Sequence, residues 1–86
     1  MKTSIILLRY DFNNELYELT KAATESLKTL NADELILIDN ASTVGDINDW
    51  ADIYVRNKTN LGYCMAVNQG LKLAKGDLIV VANNDI

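Results

Sequence analysis

Gly76-Asp77-Leu78-Ile79-Val80-Val81-Ala82-Asn83-Asn84-Asp85-Ile86 decides how the rest of the chain is read. Leu78 to Ala82 is an unbroken apolar run of strand length without polar alternation, the pattern of a strand buried on both faces. Asn83-Asn84-Asp85 then sets two amides and a carboxylate directly after its carboxyl end. In open parallel sheets ligands bind beyond that end of the strands, where strand order reverses. The stretch therefore predicts both a sheet type and the edge that carries the site.

Working outward, Asn60 to Leu71 predicts a helix. Successive residues turn by about 100°, which puts Leu61, Cys64, Met65 and Leu71 on one arc with Asn68 inside it. Asn68 is therefore expected to be a buried amide, bonded to the loop entering the helix or to a strand end, with direct ligand contact as the alternative. Gly62, in the first turn, leaves room for close approach of a backbone or a ligand. Gly70, inside the helix, costs ~1 kcal/mol against alanine and points to tight packing on the sheet. Gly76 is expected as the C-cap.

Upstream, Ile53-Tyr54-Val55 reads as a short third strand, Leu35 to Ile38 as a second and Ser4 to Leu8 as the first. Asn13 or Asn14 can cap a first helix whose stripe is Leu16, Leu19, Ala23, Leu27 and Leu30. Strand, helix, strand, loop, strand, helix, strand makes an α/β chain: three layers, α/β/α, around a mostly parallel four-stranded sheet. Every strand ends in polar side chains: Arg9-Tyr10-Asp11, Asp39-Asn40, Arg56-Asn57 and Asn83-Asn84-Asp85. All four clusters are expected along one edge.

Composition narrows the function. Eighty-six residues are expected to form one small domain, 1–86. A net charge of −4 with no basic stripe argues against a nucleic-acid partner. No apolar run approaches the ~20 residues of a membrane span, so a cytoplasmic location is expected. Cys64 is the single cysteine and there is no histidine, so any metal would be a hard cation on oxygen ligands.

Asp39-Asn40-Ala41-Ser42, then Asn60-Leu61-Gly62-Tyr63 with Ala66-Val67-Asn68-Gln69-Gly70, then Lys75-Gly76-Asp77 before a strand ending Asn83-Asn84-Asp85, together resemble family 2 glycosyltransferases with the GT-A fold. The match runs nearly end to end, since Ile5 to Asp11 sits where that family has its first strand and turn. The resemblance implies the Rossmann-like, donor-binding half of a GT-A fold, with a UDP-, dTDP- or GDP-linked sugar as ligand. It implies that Arg9, Tyr10, Asp11 and Asp39 face base and ribose, and that Asn60, Gly62 and Asn84 belong to the same donor site. Asp85 would hold Mg²⁺ or Mn²⁺ on the diphosphate, with Asn83 adding a neutral oxygen where the family usually has an acid. A lone carboxylate needs the substrate's phosphate oxygens to complete such a site, so metal is expected only with the nucleotide sugar.

The chain also departs from the family pattern. Leu8 and Arg9 replace the usual proline and threonine of the first turn, leaving base identity open. Val44 stands where an aspartate is frequent, with Asp46 nearby as a substitute. The acceptor-binding half, with its general base, has no counterpart, so these residues are expected to bind donor without turning it over. In a full-length enzyme they could work at the cytoplasmic face of a membrane. The alternative is a non-catalytic half-domain, a folding scaffold or a module that forms a homodimer through the surface left by the missing half. A dinucleotide fold or P-loop would need glycines after the first strand, and Leu8 to Asn14 has none.

Overall fold

The computed structural model describes residues 1–45 and 50–83. Its elements are β1 (Thr3–Arg9), α1 (Asn14–Lys28), β2 (Glu34–Asp39), β3 (Ile53–Arg56), α2 (Tyr63–Leu73) and β4 (Leu78–Asn83). The strands form one sheet in the order β3-β2-β1-β4, and every pair is parallel. Partners across a parallel pair share a side, so the registers Ile5↔Leu35 and Ile6↔Ile36 sort the core into two layers. Ile5, Leu7, Leu35 and Leu37 pack with Leu27 of α1, while Ile6, Leu8, Ile36 and Ile38 pack with Ala66 of α2. This is the expected α/β/α arrangement, with β1 and β2 buried on both faces.

β4 differs from expectation. Leu78, Ile79, Val80 and Val81 are each 36 to 47% exposed, although their apolar run reads as fully buried. Among the described residues α1 packs on β1, and α2 on β1 and β2, so neither helix covers the edge strand. An apolar run reports that burial is needed; it does not say which element supplies it.

The inward face of α1 keeps Ala23 and Leu27 of the expected stripe but not Leu19 or Leu30, and the inward face of α2 differs from the expected arc. Asn13 caps α1, its Oδ1 accepting from Leu16 N at 2.9 Å. The buried positions are Thr20, Ala23, Thr24 and Leu27, while Leu19 and Leu30 face solvent. Two threonines displace leucines because their hydroxyls have partners there. Thr20 Oγ1 donates to Asp11 Oδ1 at 2.8 Å and Thr24 Oγ1 donates to Thr20 O at 2.8 Å.

In α2, Ala66 and Gly70 are buried, and a Cβ on Gly70 would stand 2.6 Å from Ile6 Cγ2. The helix lies so close to the sheet that small residues are buried directly beneath it, with Val67 and Leu73 packing at its margins. Leu61, Cys64, Met65, Asn68 and Leu71 consequently point outward, and Asn68 is exposed rather than a buried amide. The C-cap is Ala74, in extended conformation, not Gly76. Gly76 instead crosses the start of β1: its N–H donates to Ser4 Oγ at 2.8 Å, and a Cβ would meet Ser4 N at 2.7 Å. Beside it Asp77 N donates to Lys2 O at 2.7 Å, fastening the start of β4 to β1.

Candidate functional site at the carboxyl edge of the sheet

The side-chain alternation that sorts the core also sorts the strand ends. Register sets Arg9 opposite Asp39 and Asp39 opposite Arg56, all on the α1 side. Arg9, Asp11 and Asp39 are almost completely buried. Charges in a low-dielectric interior must be paired, and these are. Arg9 Nε donates to Asp11 Oδ2 at 2.8 Å and Arg9 Nη2 to Val44 O at 2.6 Å, with the guanidinium carbon 5.7 Å from the centre of the Tyr17 ring. Asp39 Oδ1 accepts from Ser42 N at 2.8 Å, while its Oδ2 accepts from the Tyr54 hydroxyl and from Arg56 Nη1 at 2.8 Å. Arg9 Nη1 lies 3.8 Å from the same Oδ2 and has no hydrogen-bond partner among the described residues.

These contacts set the protonation states. Burial alone pushes the Asp39 carboxyl up, but the bonds from Tyr54 and Ser42 and the charge of Arg9 outweigh it and hold it below its ordinary value. Tyr54 is pushed up to about 12, first by burial, then by donating to the Asp39 carboxylate. The network also pins residues 41–45. Asp11 N donates to Ser42 Oγ at 2.7 Å, Thr43 N donates to Asp11 O at 2.9 Å, and Arg56 Nη2 donates to Ser42 O at 2.8 Å. Ala41, at φ 71°, is held in a left-handed conformation that a non-glycine residue seldom adopts.

On the α2 side the strand ends carry amides. Asn40 Oδ1 accepts from Asn57 Nδ2 at 2.9 Å and from Leu61 N at 3.3 Å, and Asn40 Nδ2 donates to Gly62 O at 3.3 Å. Asn57 and Gln69 exchange two bonds, of 2.8 and 2.7 Å. The amides thereby fix the loop that enters α2, whose N-cap Gly62 has φ 86°. Between this loop and the ends of β1, β2 and β4 lies a cavity of about 230 Å³, lined by Leu8, Tyr10, Asn40, Asn60, Tyr63 and Asn83 among others.

The residues expected at the donor site are thus divided between two faces. Asp11, Asp39 and the Arg9 guanidinium belong to the closed ionic cluster. Tyr10, Asn60, Gly62 and Asn83 meet at the cavity, with the main chain of Arg9 behind them. Tyr10 is half exposed and its ring rests on Phe12, centroids 5.5 Å apart. Asn60 Oδ1 accepts from Gly62 N at 2.8 Å. Asp46, Asn84 and Asp85 lie outside the described residues, and among those described no three histidine, cysteine, aspartate or glutamate side chains gather as metal ligands. Sequence reading placed Arg56 and Asn57 on the site edge with the other strand ends, but did not assign Thr20, Ser42, Tyr54, Tyr63 or Gln69 to the site. The cross-strand register Arg9↔Asp39↔Arg56, which no single segment displays, is what makes Arg56 a partner of Asp39.

Comparison with known proteins agrees with this architecture. The sequence profile described as glycosyl transferase family 2 matches residues 4–86. "Uncharacterized glycosyltransferase YfnE" of Bacillus subtilis (strain 168) is 30% identical across the whole of this chain, which spans 24% of that relative's length. No solved structure matches. No helix among the described residues is long and apolar enough to cross a membrane. With its parallel sheet, its polar carboxyl edge and a profile match over nearly every residue, the chain belongs to glycosyl transferase family 2.

Proposed function

We propose that this chain binds the nucleotide-sugar donor of a glycosyl transfer reaction at the carboxyl edge of its sheet. The observation that carries the reading is the cavity of about 230 Å³ where Tyr10, Asn60, Gly62 and Asn83 converge at the strand ends. Its amides can donate to and accept from an uncharged polar ligand, and α2 opens there with its positive end toward the cavity. Asp85 and Asn83 offer one carboxylate and one neutral oxygen, a donor set that suits Mg²⁺ or Mn²⁺ only when a diphosphate completes it. Such an ion, when bound, stabilises the charge of the departing nucleoside diphosphate. Acceptor binding and the general base are assigned to the part of the longer relative that this chain does not span.

The test is an amide NMR titration of the chain with UDP, dTDP and GDP, each with and without Mg²⁺ or Mn²⁺. Shifts concentrated at Tyr10, Asn60 to Tyr63 and Asn83, and larger with metal, are expected. A dispersed spectrum that no nucleotide perturbs would overturn donor binding. A second reading, a half-domain that pairs with another copy, draws on the exposed apolar residues of β4. In the same samples it would appear as concentration-dependent broadening of Leu78 to Val81.

A further inference from the structure

We infer that Glu34 is a latch for the edge strand: its carboxylate ties β2 to β1 and to the turn before β4, and protonating it releases the start of β4 while β1 and β2 stay paired. β4 bonds to β1 alone among the described strands, and neither helix covers it. Its hold on the sheet therefore depends on what fastens its ends. At the amino edge, Glu34 Oε2 accepts from Ser4 Oγ at 2.5 Å and from Lys75 N at 2.6 Å. Ser4 Oγ in turn accepts from Gly76 N at 2.8 Å, so one carboxylate oxygen closes a chain of bonds across three segments. Ser4 is fully buried, with one hydroxyl proton to give, and Glu34 receives it.

Charge decides whether the latch holds. Two donors converge on one oxygen, which a carboxylate accepts strongly and a neutral carboxyl, carrying a proton of its own, accepts less well. Glu34 is partly buried and borders a cavity of about 260 Å³ with Lys2, Asp33 and Lys75, so a proton reaches it in the folded chain. The bond from Lys75 N, then that from Ser4, hold its carboxyl below the ordinary 4.5 against a smaller push from burial, and the charges of Lys75 and Lys2 add to the effect. A depressed value contributes stability that is present above 4.5 and lost as pH falls through the folded value. Two other carboxylates face the same edge: Asp33 Oδ2 accepts from Thr3 N at 2.7 Å, and Asp77 Oδ2 from Lys2 N at 3.1 Å. Each of these ties β1 to one neighbour, whereas Glu34 joins all three segments. At the far end of β4, register sets Asn83 opposite Leu8, where both line the carboxyl-edge cavity, so the latch acts on a strand that the cavity needs.

The experiment is amide hydrogen exchange, read residue by residue by NMR between about pH 3 and about pH 6, on the chain and its Glu34→Gln, Asp33→Asn and Asp77→Asn variants. In the wild-type chain, protection of Gly76, Asp77 and Leu78 should fall about tenfold toward the acid end, the loss expected for charge-assisted bonds, while Leu7 and Ile36 stay more protected throughout. Glu34→Gln should show the lowered protection already at about pH 6 and no further drop. Asp33→Asn and Asp77→Asn should keep the wild-type pH dependence. A drop that persists in Glu34→Gln, or that vanishes in Asp33→Asn or Asp77→Asn, would overturn the assignment. So would exchange of Gly76 to Leu78 at the same protection as Leu7 and Ile36 in acid, since the sheet would then open as one body. A flat wild-type profile overturns it without recourse to any variant.

Discussion

On the α1 side of the strand ends, charges are matched one against another beneath residues 41–45; on the α2 side, a few residues away, neutral amides meet and a cavity stays open. The contrast follows from the cost of burial. An ionised group taken from water must have its charge answered on the spot, which consumes its hydrogen-bonding capacity. Amides demand less, and can hold a loop with some of their atoms while presenting others to a ligand. The charged side thus shapes the edge, and the neutral side keeps an open cavity.

The contrast can be broken most sharply at Asp39. Asp39→Ala removes the carboxylate that faces Arg9 and Arg56, and the stranded buried guanidinium should lower the unfolding free energy by about 3–5 kcal/mol in urea denaturation. A loss under about 1 kcal/mol would mean that the ionic cluster is ornamental. On the neutral side, Asn57→Ala deletes the bonds to Gln69 and Asn40, and about 1–2 kcal/mol is expected by the same measurement. An equal loss at the two positions would erase the distinction between the faces.

The smallest effect is a pH dependence confined to the charged side. Tyr54 rises from its ordinary 10.0 to about 12, so the folded state favours its protonated form. That contribution is fully present below about pH 10 and fades as pH climbs toward 12. The gap in urea midpoint between the wild-type chain and Tyr54→Phe should therefore be constant below pH 10 and narrow above it. Asp39 has the opposite sign: its depressed value contributes stability above the ordinary 3.8, lost as pH falls through the folded value. A midpoint gap that stays flat through both windows would separate the hydroxyl–carboxylate contact from stability.

Much of the fold is visible in the chain because β1 and β2 are buried on both sides and so appear as uninterrupted apolar runs. The helix faces are less visible. Hydrophobicity marks large apolar side chains, whereas α2 approaches Ile6 through Ala66 and Gly70, whose virtue is smallness. In α1 the buried threonines are polar residues whose partners, Asp11 and a main-chain carbonyl, appear only once the chain is folded. At the site, the clusters after each strand are legible, and their described residues share an edge. Their division into two faces is not, because it depends on whether a residue falls on an odd or an even position of its strand. Arg9 and Tyr10 are neighbours in sequence, yet the guanidinium joins the ionic cluster while the tyrosine lines the cavity.

The strand order carries a consequence for how the chain reaches this state. β1 is first in sequence but central in the sheet, and it pairs with β4 in the register Thr3↔Leu78, across nearly the whole chain. The β1-β2 pairing closes a shorter loop, about thirty residues, as in Ser4↔Glu34. Closing a longer loop costs more entropy before any contact rewards it, and parallel pairing over such separations slows folding. The β1-α1-β2 crossover unit is therefore placed to form early, with β4 docking last on a strand already half committed. The cavity, which needs the ends of both β1 and β4, takes shape only at that final step.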